Sequence, residues 1–282
     1  MKKSAYDIIT ERILDIMAKG TIPWQAGWIG GQRPSNLISR KPYRGINALV
    51  LGIAGYNSSY WLTFNQARKK GGRIRKGEKG TPVVFWKWLE KEIEDSATGE
   101  KRTARIPLLR YYTVFNLEQT SGIEAPELAD KEQISPIDAA QKIISNMPQR
   151  PAMVPGRPSY NAKTDIVCLP EFQRFVNAED FYSTAFHELA HSTGHASRLN
   201  RPEVMESNFF GDPAYSREEL VAEMAAAFLC NSAGIAPATI ENSAAYIQSW
   251  SKKFEDDKKM LVCAAAAAQK AADFILNIRF EN

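Results

Sequence analysis

All three histidines of this chain lie in the stretch FHELAHSTGH, at positions 187, 191 and 195, each four residues from the next. On a helix, that spacing stacks the imidazoles on one face, one above another. His187 and His191 are separated as two ligands of one tetrahedral ion must be, and Glu188 sits beside them. This is the H-E-x-x-H arrangement, in which two imidazoles hold zinc and the glutamate serves as general base. Zinc would lower the pKa of a water to about 7, and Glu188 would take its proton as that water attacks a carbonyl.

A third ligand is needed. A metzincin would place a histidine at 197, where the residue is Ser197, although Gly194 does match that pattern. His195 would reach the ion only if the helix bent, so we read it as a neighbour capping the helix end. The run EELVAEMAAAF holds Glu219 and Glu223, again four apart and sharing a face. This resembles the thermolysin-like (gluzincin) pattern E-x-x-x-D/E. The resemblance implies that Glu219 binds the metal and Glu223 orients His187 or His191, with the reversed roles left open. Glu218 is expected to face elsewhere, into solvent. Tyr215 and Tyr160 are candidates to donate to a developing oxyanion, but ordinary packing is the preferred reading of both.

These groups must be positioned by two helices. One is expected over 179–195, ending near Gly194. The other runs through SREELVAEMAAAFLCNSAG, with Ser216 as N-cap and Glu219 in the capping-box position. A helix at 136–147 precedes them, and alanine-rich helices from about 241 to 277 follow. SYNAKTDIVCLP reads as a small hairpin turning at Asn161–Asp165. The widely spaced Cys168, Cys230 and Cys263 form no C-x-x-C pair, which excludes a cysteine zinc knuckle and a disulfide scaffold.

The front of the chain differs in character. Residues 1–120 hold 21 Lys+Arg against 10 Asp+Glu, and the remainder 15 against 22, within a net charge of +4. That asymmetry suggests two modules with different partners. We place a basic, aromatic-rich domain at 1–120, a polar linker at 121–135 and a second domain at 136–282. The front domain opens with an amphipathic helix (Ile9, Ile13, Ile16, Met17), followed by short helices at NALVLGIAGY and LTFNQARKKGG. The strands TPVVFWKWLEKEI and RIPLLRYYTVFNLEQ then pair across a turn at DSATGEK. The fold class is therefore α+β: a small mixed α/β domain, then a mainly helical one with a small β-hairpin or sheet. With no long uninterrupted apolar run and no signal peptide, a cytoplasmic protein with no membrane partner is expected.

WLTFNQARKKGGRIRKGEKG (61–80) carries seven Lys/Arg against a single acid, Glu78, and five of the six tryptophans fall in this half. Cations neutralise phosphates and flat rings stack on unpaired bases, as single-stranded nucleic acid requires. The candidate contacts are Arg44, Arg68, Lys69, Lys70, Arg73, Arg75, Lys76 and Lys79, with Trp24, Tyr43 and Trp61 as stacking rings. Gly71 and Gly72 would let a strand approach the backbone.

GTIPWQAGW, PYRGINALVL, YWLTFNQARKKGGRIRKGEKGTPVVFWK and YYTVFNLEQTSGI resemble the N-terminal domain of ArdC-type antirestriction proteins, shared with TraC-type plasmid primases. HELAHSTGHASRLNR and YSREELVAEMAAAFL resemble the zincin-like metallopeptidase domain that follows it in ArdC. The resemblance implies a conjugative-plasmid protein that binds single-stranded DNA and helps incoming DNA evade host restriction. It also implies a divalent cofactor, Zn²⁺ or alternatively Mn²⁺, and restriction-modification proteins as possible partners. A DNA-tethered metalloprotease and a primase accessory protein are the competing expectations. No acidic cluster for nucleotidyl transfer is evident in the sequence, which weighs against the last.

Overall fold

The computed structural model describes residues 3–26, 33–94, 101–126, 134–202, 204, 213–235 and 244–278. The chain opens with helix α1 (Ala5–Met17), started by a capping box between Ser4 and Asp7. Its Ile9, Ile13 and Met17 are fully buried, as the 3–4 spacing requires. Strand β1 (Ser35–Asn36), helix α2 (Ile46–Gly52), strand β2 (Tyr60–Leu62) and helix α3 (Phe64–Lys69) follow. Strand β3 (Arg73–Ile74) leads into a long antiparallel ribbon of β4 (Thr81–Glu94) and β5 (Lys101–Asn116), and β6 (Thr120–Ser121) pairs back onto β3. The main sheet has the order β1-β2-β5-β4, which leaves β4 on its edge. The ribbon occupies the two stretches expected as strands; residues 95–100 of the expected turn, and 127–133 of the expected linker, lie outside the described residues.

The rear half begins with α4 (Pro136–Asn146), then β7 (Ala152–Pro155), β8 (Ser159–Asn161) and β9 (Ile166–Leu169). The expected hairpin is β8 against β9. β7 adds in parallel on the other side of β9, giving the order β7-β9-β8. Helices α5 (Ala178–Ser192), α6 (Pro213–Ala233), α7 (Ala244–Asp256) and α8 (Met260–Ile275) complete the fold. Ser216 does not cap α6. The helix already runs from Pro213, and Ser216 is a buried interior residue whose hydroxyl accepts from Lys253 at 3.0 Å. The described residues include no helix long and apolar enough to cross a membrane, and all three cysteines are free.

α6 is the hub. From Leu220 to Cys230 every residue is buried, and only Glu223 among them is charged. An apolar surface all the way round suits a helix packed on every side. Ala225–Ala227 on α6 and Ala264, Ala265, Ala268, Ala271 and Ala272 on α8 are all buried in one core. Small residues let helix backbones approach closely, which explains the alanine runs in both helices. That core also takes in Ile9, Ile13, Trp24 and Leu49 of the front half. Polar ties reinforce the crossing: Arg44 pairs with Asp273, and Gln269 accepts from the Gly45 N–H and from Arg33.

One buried cation holds the small sheet to the end of α5. The Arg198 guanidinium donates to Ser192 O (2.7 Å), Gln149 O (2.9 Å), Asp165 and the Tyr160 hydroxyl. Its hydrogen bonds hold the Asp165 carboxyl below its usual pKa, against the opposing effect of burial. Arg198→Ala should therefore destabilise the protein by about 2–3 kcal/mol in denaturant unfolding at neutral pH. A depressed carboxylate pKa contributes stability above the unfolded value and loses it as pH falls through the folded one. The gap between wild type and variant should thus narrow on acidification below about pH 4.

Candidate metal centre

α5 presents His187 and His191 on one face, and α6 crosses it with Glu218 and Glu219. One ligand atom from each of His187, His191 and Glu219 lies within 4.8 Å of the others. The two Nε2 atoms are 3.1 Å apart, and Glu219 oxygens stand 3.5 Å from His187 Nε2 and 3.6 Å from His191 Nε2. Two ligands at about 2.05 Å from one tetrahedral zinc are separated by roughly 3.3 Å, so the three spacings fit a single divalent ion. The histidine tautomer fits too. His191 Nδ1 lies 3.2 Å from Glu218 Oε1, and a proton shared there leaves Nε2 with a lone pair facing the cluster.

The electrostatics follow from these contacts. Burial would raise Glu219, but the hydrogen bond from His187 and the charges of His191 and His187 hold it down at about 2. Burial acts to lower His191; the hydrogen bond and charge of Glu218, with Glu219 and Glu188, raise it above the ordinary imidazole value. Glu188 is buried, and burial raises its carboxyl pKa against the pull of His191 and His187. Tyr215 hydrogen-bonds Glu219 and is pushed up to about 12, first by burial and then by that carboxylate's charge. Of the two oxyanion candidates only Tyr215 stands at the cluster. Tyr160 gives its hydroxyl proton to Asp165 at 2.9 Å, beside Arg198. His195 is not in the cluster; its Nδ1 lies 2.8 Å from Ser197 Oγ.

Two sequence expectations change here. Glu218 is not solvated: it is buried between His191 and Arg201, whose guanidinium donates to its two oxygens at 2.6 and 2.9 Å. Glu223 does not touch either histidine. Its carboxylate accepts from the Trp24 indole N–H at 2.7 Å and from the Tyr246 hydroxyl at 2.5 Å. Burial raises its pKa, with those two donors opposing. His187 Nδ1 is buried with no partner among the described residues. The carboxylate that orients a histidine is thus the neighbour of Glu219, not the acid one turn on.

Trp24 and Tyr246 carried no signal at the level of spacing, because each arrives from a distant segment; Arg201 follows His191 by only ten residues, but beyond the helix end, where helical spacing no longer says which side chains meet. Gly194 packs beneath the segment that carries Arg201. A Cβ there would stand 2.2 Å from Val204 Cγ2 and 3.1 Å from Arg201 itself. Arg201 also caps the end of α5, donating to Ala190 O and Thr193 Oγ1.

The expected nucleic-acid residues separate into two groups. Arg68, Lys69, Lys70, Arg73, Arg75, Lys76 and Lys79 are all exposed on α3, β3 and the turn that follows, Arg75 in a pair with Glu78 at 2.9 Å. Trp24 and Trp61, each 1% exposed, and Tyr43 are core residues with no free face to stack on a base. Trp24 packs edge-on against Trp250 and Phe254. Arg44 is engaged with Asp273. Gly72 admits the chain's own residues rather than a ligand, since a Cβ there would collide with Ile123 and Ser121 O.

Residues 3–115 match the N-terminal domain of anti-restriction factor ArdC, and 138–267 match a zincin-like metallopeptidase. The class defined is thus an antirestriction-type front domain joined to a zincin-like domain. The chain is similar over 97% of its length to the metal-free crystal structure of the antirestriction ArdC protein from plasmid R388, covering 97% of that chain (36% identity, TM-score 0.74). The Mn(II)-bound structure of that protein gives 34% identity and a TM-score of 0.75, with 99% of this chain and 100% of the other covered. An uncharacterised protein of Sinorhizobium fredii, y4eC, is 31% identical, with 96% of this chain and 91% of the relative covered. This chain belongs to the ArdC family. It is also 35% and 36% identical to two DNA primases TraC of Escherichia coli, with 98% of it matched, but spans only 20% and 27% of their lengths.

Metal titration against a chromogenic chelator distinguishes the three acids. Glu219→Gln should lose stoichiometric zinc or manganese. Glu218→Gln should keep the site but weaken it about 10–100-fold. Glu223→Gln should retain metal, and loss of metal there with retention in Glu219→Gln would reverse the two roles. Trp24→Phe withdraws a donor from a buried carboxylate and also leaves the space of the five-membered ring unfilled, and should cost about 2–4 kcal/mol in thermal or denaturant unfolding.

Proposed function

We propose that this chain is an antirestriction protein that binds single-stranded DNA through its front module and holds Zn²⁺ or Mn²⁺ at His187, His191 and Glu219. It would act in the cytoplasm of a cell receiving plasmid DNA, with restriction-modification proteins as the opposing partners. The observation that carries the metal half is the His-His-Glu cluster at single-ion spacing. Membership of the ArdC family supports the antirestriction half. The seven exposed cations of residues 68–79 support contact with a polyanion.

When bound, the ion supplies Lewis acidity that polarises a carbonyl and acidifies a water. The chain's own residues do the rest. Glu188, desolvated and so a stronger base than a free carboxylate, takes the proton of the attacking water and passes it to the leaving amine. Glu218, fixed by Arg201, keeps the proton of His191 on Nδ1. To donate to the carbonyl oxygen as its charge grows, the Tyr215 hydroxyl must give up its hydrogen bond to Glu219. This chemistry favours a second reading, a DNA-tethered metalloprotease that removes DNA-bound proteins.

Two measurements test these readings. Fluorescence anisotropy should show salt-sensitive binding to a labelled single strand, and Arg68→Ala/Lys69→Ala/Lys70→Ala should reduce the log–log salt slope by about 2. No binding at low salt would remove the single-strand reading. Glu188→Ala should leave metal and DNA binding intact. If it also leaves protection of transferred DNA intact in a conjugation assay, the proteolytic reading falls and the binding one stands.

A further inference from the structure

We propose that the open face of the β4–β5 ribbon, carrying Phe85, Lys87, Arg110 and Tyr112, is the surface on which single-stranded DNA stacks its bases. The inference rests on the reading above that the front module binds such strands. It assigns the stacking role to residues other than the buried Trp24, Tyr43 and Trp61.

The register divides the ribbon into two faces. Phe85 pairs with Arg110, Lys87 with Leu108, and Val83 with Tyr112, while Val84, Trp86 and Trp88 pair with Tyr111, Leu109 and Pro107. Cross-strand partners share a face and neighbours along a strand alternate. The face of Val84, Trp86 and Leu109 is turned to α1 at its base: Val84 and Leu109 are buried and Tyr6 meets Trp86 edge-on at 6.5 Å, while Trp86, Trp88 and Tyr111 keep 46%, 56% and 44% of their surface exposed. The other face is buried at its base, where Val83 joins Tyr43, Trp61 and Val114. Beyond that it opens, with Phe85 42% and Tyr112 36% exposed and Lys87 and Arg110 exposed beside them.

The open face has the make-up a single strand needs. Phe85 and Tyr112 lie 5.6 Å apart at 60°, two rings fixed close together. Tyr112 lies near the buried Tyr43 hydroxyl, on the side of the ribbon that closes over Val83. Lys87 and Arg110 bring positive charge next to the rings. From Val83 to Leu89 and from Ile106 to Tyr112 no acidic residue falls on this face, and Glu90 lies on the other. Cations adjoining fixed, half-exposed rings match phosphates adjoining unpaired bases. A duplex, whose bases are stacked on each other, offers these rings nothing.

The test is anisotropy with three labelled 20-mers: a dT strand, an abasic strand of the same length, and a duplex. Wild type should prefer dT over both others. Phe85→Leu/Tyr112→Leu should lose about 10–100-fold on dT and almost nothing on the abasic strand. Phe85→Trp should retain affinity and show quenching of the new indole by dT, a readout that a merely destabilised ribbon would not give. The lysine and arginine variant of residues 68–70 should weaken dT and abasic binding alike. If wild type binds dT and the Phe85/Tyr112 variant matches it within twofold, the ribbon is not the site, although single-strand binding stands. The same result with loss of self-association would make the face a contact between copies, also overturning the proposal. If wild type binds no oligonucleotide, the underlying reading fails with it.

Discussion

Two imidazole nitrogens held 3.1 Å apart, with a carboxylate about half an ångström further from each, is an arrangement that proteins must enforce. Lone pairs directed at one point repel until a cation lies between them. Much of the rear half serves that enforcement. α6 is buried on all sides against α5 and α8, which sets the position of Glu219 relative to the histidines. Arg201 then locks Glu218 against His191 Nδ1 and ties the same unit to the last turn of α5. The imidazole ring is held through its far nitrogen, so that its near one is left for the ion.

The parts of this centre differ in how far they were legible. His187, Glu188 and His191 lie in one helical turn, where spacing alone dictates which side chains meet. Glu219 was legible because its helix is amphipathic in charge, if not in hydropathy. Glu218 was misread because adjacent helical residues diverge by about 100°, which seemed to direct it away from the site. It does point away from Glu219, but toward the opposite nitrogen of the same histidine. No helical spacing encodes the arrival of Arg201 there, since it lies past the end of α5; Gly194 marks only the close packing of the chain that follows, chiefly of Val204.

The front half repeats the lesson in another form. Its strands and short helices were legible from alternation and capping residues, Thr63 with Gln66 for example. The roles of its aromatic residues were not. Trp24, Tyr43 and Trp61 sit in sequence among glycines, prolines and cations, yet fold into cores. Phe85 and Trp88 sit in a strand and remain outside. Composition counts rings but cannot say which of them the tertiary fold has already used. The pairing register narrows the choice: it buries Val84 and Leu109 on one face and Val83 at the base of the other, and leaves the rings further along the ribbon half-exposed.

The bond from Trp24 to Glu223 gives the molecule a property beyond its chemistry. It joins the twenty-fourth residue to the helix that carries Glu219, through a core to which both halves contribute. A chain built this way is a single heritable part. Removing either half would open this shared core and leave Glu223 without its Trp24 donor. The much longer TraC primases bear the mark of that indivisibility: their similarity to this chain takes in nearly all of it, both halves together, within a fifth to about a quarter of their own length.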